Sequence, residues 1–140
     1  MTNKSIINKF ACLLMVDGKK SIAFRLLKKS LEKTANKLFI SENALLKQVL
    51  DNVKPFIDAR LRKVGRISYM IPYAITEKQS FFKAIQMIIH SSRQRREKSF
   101  IGKLINEFTD SFKNKGTSIK RKNEIHRLAE ANKSFAHFSK

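Results

Sequence analysis

The stretch 55-PFIDARLRKVGRISYMIPYAI-75 decides the fold. On either side of it apolar residues recur every three to four positions, but here the period drops to two: Ile67, Tyr69, Ile71, Tyr73 and Ile75 alternate onto one face. Phe56 to Val64 reads as a partner strand, and Gly65-Arg66 supplies the turn, so a β-hairpin is expected over about 56–75.

Working back from Pro55, Leu45, Val49, Leu50 and Val53 form a helical stripe that Ser41 is placed to N-cap and that ends before the proline. Ile22, Leu26, Leu27, Leu31 and Ala35 mark an earlier helix, with Lys19, Lys20, Lys28, Lys29 and Lys33 largely outside its stripe. Ile6, Ile7, Phe10, Leu13 and Leu14 mark the first, broken by Asp17-Gly18. Forward of the hairpin, Thr76 and Glu77 open a fourth helix carrying Phe81, Ala84, Ile85, Ile88 and Ile89. A basic stretch from Ser91 to Arg96 interrupts it. A fifth helix carries Ile101, Leu104, Ile105, Phe108 and Phe112, and Gly116 is placed as its left-handed terminus. The last helical pattern holds Ile125, Leu128 and Ala129, followed by a tail from Asn132 to Lys140. The expected fold is mainly α: one domain over 1–140, a single bundle of about six helices with one protruding hairpin between the third and fourth.

Thirty Lys and Arg face eleven Asp and Glu, a formal net charge of +19. Self-repulsion of this size calls for a polyanion, because each cation set on a phosphate releases condensed counterions. Nucleic acid is the leading partner class. No apolar run approaches a spanning helix and the cations are spread along the whole chain, so a membrane partner is not expected. No secretory signal or Arg/Ser-rich transit segment is expected either. Cys12, the single cysteine, lies in an apolar stretch and is expected to be buried; alone it builds no disulfide or metal cluster. Lys, Ile, Asn and Phe are abundant while Gly, Pro and Trp are scarce, the bias of AT-rich coding.

Three cation clusters are candidate phosphate contacts. On the hairpin, Arg60 and Arg62 alternate with Val64 on one side while Lys63 and Arg66 crowd the turn, and Tyr69 is available to stack on an unpaired base. An edge ribbon kept soluble by charge is the plainer reading of the same residues. The connection after the fourth helix packs Arg93, Arg95, Arg96 and Lys98 ahead of a helix start. The third cluster is Lys113, Lys115, Lys120, Arg121, Lys122 and Arg127. No Gly-rich phosphate loop, HExxH, GxSxG or paired metal-ligand spacing occurs, and His90, His126 and His137 stand far apart without cysteine partners. No catalysis, cofactor or metal is expected. The alternatives are a free-standing RNA or DNA chaperone, and an enzyme whose site gathers distant carboxylates such as Glu107 and Asp110.

Several stretches resemble one family, small-subunit ribosomal protein seven. Lys9-Phe10 and 14-LMVDGKKS-21 resemble its first helix and turn, Arg62-Lys63-Val64-Gly65 with Tyr69 and Pro72 its hairpin, and 114-NKGT-117 with 126-HRLAEANKSFAH-137 its last helix. The resemblance implies a helical bundle with a projecting hairpin that binds the 3′ head domain of small-subunit ribosomal RNA. It also implies neighbouring ribosomal proteins of the head as partners, and a hairpin near the exit-site tRNA and the mRNA, with Lys63, Gly65, Arg66 and Tyr69 closest to them. Lys19, Lys20, Arg62, Lys63, Lys115 and Arg127 carry over as RNA contacts, and a single copy rather than a homo-oligomer is expected. The sequence departs from the family in a shorter basic N-terminal arm, in Arg66 where a second glycine is common, and in an end at Phe138-Ser139-Lys140. Contacts made by longer arms are expected to be missing. A short, Lys- and Ile-rich member resembles those of mitochondria, with plastid and bacterial cytoplasm as alternatives.

Overall fold

A computed structural model describes residues 2–139; Met1 and Lys140, where the expected tail ends, lie outside the described residues. The chain forms α1 (Asn3–Leu14), α2 (Lys20–Leu38), α3 (Glu42–Val53), β1 (Ile57–Val64), β2 (Ile67–Ala74), α4 (Glu77–Arg93), α5 (Phe100–Phe112) and α6 (Thr117–Ala131), closed by a 3₁₀ helix (Lys133–Ser139). The expected bundle with an inserted antiparallel hairpin is what forms.

Local chemistry sets the boundaries. Hydroxyls of Thr2, Ser41, Thr76 and Ser99 accept from backbone N–H groups three residues on, satisfying donors that have no partner inside the helix. Thr76 and Gln79 form a full capping box. Between α1 and α2 the backbone turns left-handed at Asp17 (φ 54°) and Gly18 (φ 72°).

Helix α5 occupies the middle, packed on α2, α3, α4 and α6. Its Phe108 meets Phe10 of α1 with ring centroids 5.9 Å apart, surrounded by Leu27, Leu31, Leu45, Leu50, Ile88 and Leu104, all with essentially no exposed surface. On the buried side of α2 the hydroxyls of Ser30 and Thr34 bond back to the carbonyls of Leu26 and Ser30, both at 2.7 Å, so they add no unsatisfied group to the core.

Two expectations are corrected. Cys12 is exposed: two residues past Phe10 it sits about 200° around the helix, away from the stripe that Phe10, Ala11 and Leu14 bury. Gly116 does not close α5. Asn114 (φ 59°) takes the left-handed turn, and Gly116 (φ 94°) begins α6, where an added Cβ would lie 3.0 Å from Asp110 Cβ. Of the expected tail, the 3₁₀ helix packs against β2, with Tyr69 under the rings of Phe135 and Phe138 at 4.8 and 6.0 Å.

The α5–α6 junction is held by a buried carboxylate. Glu107 is fully buried, accepts from Arg95 Nε at 2.9 Å and from Ser118 N at 3.3 Å, and also receives the Ser118 hydroxyl. Glu107→Ala leaves Arg95 and Ser118 without this acceptor, so it is expected to cost about 3–5 kcal/mol in urea unfolding. Gly116→Ala, strained in both dihedral and contact, is expected to cost about 1–3 kcal/mol in the same measurement.

Candidate nucleic-acid interface

The hairpin is locked at its root and open at its tip. Arg60 stands opposite Ile71, Arg62 opposite Tyr69 and Lys63 opposite Ser68. At the root, Asp58 pairs with Lys83 of α4 and accepts from the Tyr73 hydroxyl at 3.3 Å. Burial, reinforced by the Asp58 carboxylate, raises the Tyr73 pKa above its ordinary value of 10.0. The Ser80 hydroxyl donates to the Pro55 carbonyl, and the Phe56 N–H donates to His126 Nε2 of α6 at 3.2 Å. Phe56 and His126 also stack, with centroids 6.2 Å apart. At the tip Lys63, Gly65 (φ 67°) and Arg66 are exposed.

Sequence alternation placed Arg60 and Arg62 on one side correctly, but that side is not empty. The Arg60 guanidinium lies 4.9 Å from the Tyr73 ring centroid, and Arg62 donates to the Phe138 carbonyl. Tyr69, expected to stack on a base, is half-buried with Phe135 and Phe138 against its ring. Its stacking surface is thus occupied from within the chain.

The α4–α5 connection divides its cations by direction. Arg96 and Lys98 are exposed. Arg93 is exposed too, but donates to the Leu14 carbonyl at 3.3 Å, tying α4 to α1. Arg95 points inward. It is paired with Glu97 at 3.3 Å, Glu107 at 2.9 Å and Asp110, so it is corrected from phosphate contact to internal tie. Burial would lower its pKa, but hydrogen bonds and charge from Asp110 and Glu107 outweigh it and raise the pKa.

Consecutive residues on a helix point about 100° apart, so the run 120–122 fans out instead of forming a patch. Lys120 and Arg127, seven residues apart, are both exposed on one side, and Lys115 is exposed in the turn before α6. Arg121 enters a cleft, whereas Lys122 is half-buried, donates to the Asn52 carbonyl at 2.6 Å, and has its pKa lowered by that burial. Lys19 and Lys20 are exposed where α2 begins.

One surface was missed. An open cleft of about 410 Å³ between α1, α4 and α6 is lined by Lys83, Gln86, His90 and Arg93 of α4 together with Arg121. Spacings of three and four from 83 to 93 put these α4 residues on one stripe, a signal hidden because His90 and Gln86 are not formal cations. Among the described residues no cluster of His, Cys, Asp and Glu suits a metal ion, and no helix is long and apolar enough to cross a membrane.

Exposed cations at a hairpin tip, a helix connection, a helix flank and an open cleft belong to a basic scaffold protein with a projecting ribbon. Comparison with known proteins makes this specific. Residues 1–133 match the family described as ribosomal protein S7p/S5e, and the chain belongs to that family. It is 38% identical over 136 residues to a protein of Buchnera aphidicola subsp. Baizongia pistaciae, covering 97% of this chain and 87% of the relative. It is 38% identical over 133 residues to one of Dichelobacter nodosus (95% and 85%), and 36% identical over 136 residues to one of Wigglesworthia glossinidia brevipalpis (97% and 87%). Each of these relatives carries the name small ribosomal subunit protein uS7. Membership in this family makes the chain a structural protein and not an enzyme.

The hairpin root carries a pH dependence. Burial, and to a lesser degree the charge of Lys122, lower the pKa of His126 below 6.5, and its Nε2 must stay unprotonated to accept from Phe56. The unfolded chain therefore takes up this proton first as pH falls below about 6.5, and stability is lost progressively towards the folded-state pKa. Thermal unfolding at pH 7.5 and 5.5 is expected to show a larger acid-induced loss in the wild type than in His126→Gln, which keeps an acceptor but has no proton to take up.

Proposed function

We propose that the protein is a structural component of the small ribosomal subunit that binds the 3′ head domain of small-subunit ribosomal RNA as one RNA-binding domain over residues 1–140. In this reading it supports head assembly beside neighbouring ribosomal proteins. The hairpin tip, with Lys63, Gly65 and Arg66, lies near the exit-site tRNA and the mRNA. The observation that carries the reading is a family match over residues 1–133 in a chain whose cations are exposed at separate points of one rigid frame.

The proposed contacts are Lys19, Lys20, Arg60, Lys63, Arg66, Arg96, Lys98, Lys115, Lys120, Arg121 and Arg127, reaching mostly phosphate and sugar, with Arg62 and Arg93 bound both to the chain and beside RNA. Lys122 and Arg95 act on the frame. The compartment that goes with this reading is the mitochondrial ribosome, supported by a Lys- and Ile-rich sequence with only four Gly, two Pro and no Trp. Co-sedimentation with small subunits from a mitochondrial fraction tests that choice; recovery from plastids or bacterial cytoplasm reassigns it.

With about six to ten phosphates neutralised, affinity is expected to fall by about 10³–10⁵ between 50 and 200 mM salt. Crosslinking and sequencing of bound RNA is expected to concentrate in the 3′ head domain; an even spread over unrelated transcripts means a free-standing chaperone. Arg96→Ala with Lys98→Ala is expected to reduce the salt slope by about 2, whereas Arg62→Ala with Lys63→Ala is expected to weaken binding while leaving the circular dichroism spectrum unchanged.

A further inference from the structure

We propose that the outward face of α2 is a second, separate site for nucleic-acid phosphates, so that the protein bridges two RNA segments. The proposal goes beyond the interface above and rests on the reading that the polyanion is RNA. Arg25, Lys28, Lys29 and Lys33 are all exposed, while Ala23, Leu27, Ser30, Leu31, Thr34 and Ala35 bury the opposite side. At about 100° per residue the four cations share an arc of about 140°, and at about 1.5 Å per residue they span about 12 Å. Over that length a duplex presents several phosphates on each strand.

The chain's carboxylates leave this face largely uncompensated. Asp51, Asp58, Glu97, Glu107, Asp110 and Glu130 each stand within ion-pair distance of a cation, and Glu42 and Glu77 sit in first helical turns. On α2, among the described residues, none of Arg25, Lys28, Lys29 and Lys33 is in an ion pair, and Glu32 is the one carboxylate in the arc. Arg25 and Lys29, and Lys29 and Lys33, are like charges four residues apart, which disfavour the helix unless an external anion lies across them.

Position makes the site independent of the hairpin side. Helix α2 packs on α1, α3 and α5, whereas α6 and the hairpin lie across α5 and α3 from it. Neighbouring helix axes are about 8–10 Å apart, so α5 and α3 separate the α2 face from the cations of α6 and the hairpin tip, and of the contacts above Lys19 and Lys20 stand at the start of α2 itself. A membrane is disfavoured because most of the apolar side of α2, including Leu27, Leu31 and Ala35, is spent in the core, leaving Ile22 and Phe24 as its exposed large apolar residues. The lysines are point charges suited to phosphate without base selection.

The test saturates the full chain with head-domain RNA and titrates in a labelled, unrelated RNA duplex of about 16 base pairs, followed by fluorescence anisotropy. The wild type is expected to take up this second RNA. Lys28→Gln, Lys29→Gln, Lys33→Gln combined is expected to weaken it at least tenfold and reduce its salt slope by about 2–3, leaving head-domain RNA binding within twofold. Lys28→Arg, Lys29→Arg, Lys33→Arg combined should restore it. Absence of second-RNA uptake by the wild type, unchanged uptake by the Gln variant, or binding of poly-glutamate in place of the duplex each overturns the α2 site. Failure to select head-domain RNA over unrelated RNA sinks the proposed function, yet leaves the sensitivity of duplex binding to the α2 variants as a separate readout.

Discussion

The Glu107 carboxylate carries no exposed surface, and the placement of α6 depends on it. A carboxylate taken out of water is tolerated only when charge and hydrogen bonds replace the solvent. Here Arg95 supplies the charge from the α4–α5 connection, while Ser118 supplies two donors from the first turn of α6. That turn begins at Gly116, which has no side chain to cap it, so Glu107 does from α5 what a capping residue does locally. Three segments distant in sequence are thereby held at one point.

From that junction the support runs on to the hairpin. Once α6 is fixed, His126 can accept the Phe56 N–H, and Lys122 can reach the Asn52 carbonyl at the end of α3. The hairpin root is then held from α6 by His126 and from α4 by Lys83 on Asp58, while nearer the tip the C-terminal 3₁₀ helix sets its rings against Tyr69. A two-stranded ribbon has little stability of its own, so these contacts are what let Lys63 and Arg66 project at a defined place.

A chain with thirty cations and eleven carboxylates must choose where neutralisation happens. Four of the acids, Asp58, Glu97, Glu107 and Asp110, pair with cations where elements of the fold meet, while cations such as Lys63, Arg66, Arg96 and Lys98 are left on the outside. Stability and anion affinity are divided in this way between different residues of the same type. Arg95 and Arg96, adjacent in sequence, stand on opposite sides of that division.

The sequence alone determined what depends on near neighbours. Helix starts at Ser41 and Thr76, the stop at Pro55, the period-two stretch from Ile67 and most of the core stripes, Ile22 and Leu128 excepted because both are exposed, were legible because caps, φ restrictions and side-chain periodicity act within a few residues. So were the exposed tip residues Lys63 and Arg66, since a turn between strands has nowhere to go but outward. Tertiary structure decided the rest. Whether an arginine meets solvent or Glu107, whether Tyr69 is open or covered by Phe135, which glycine turns the chain at α6, and that His90 and Lys83 share a cleft with Arg121 all depend on segments brought together from far apart. Local physics specifies each element's own geometry; the partners its polar groups find are set only once desolvation forces those elements into a common interior.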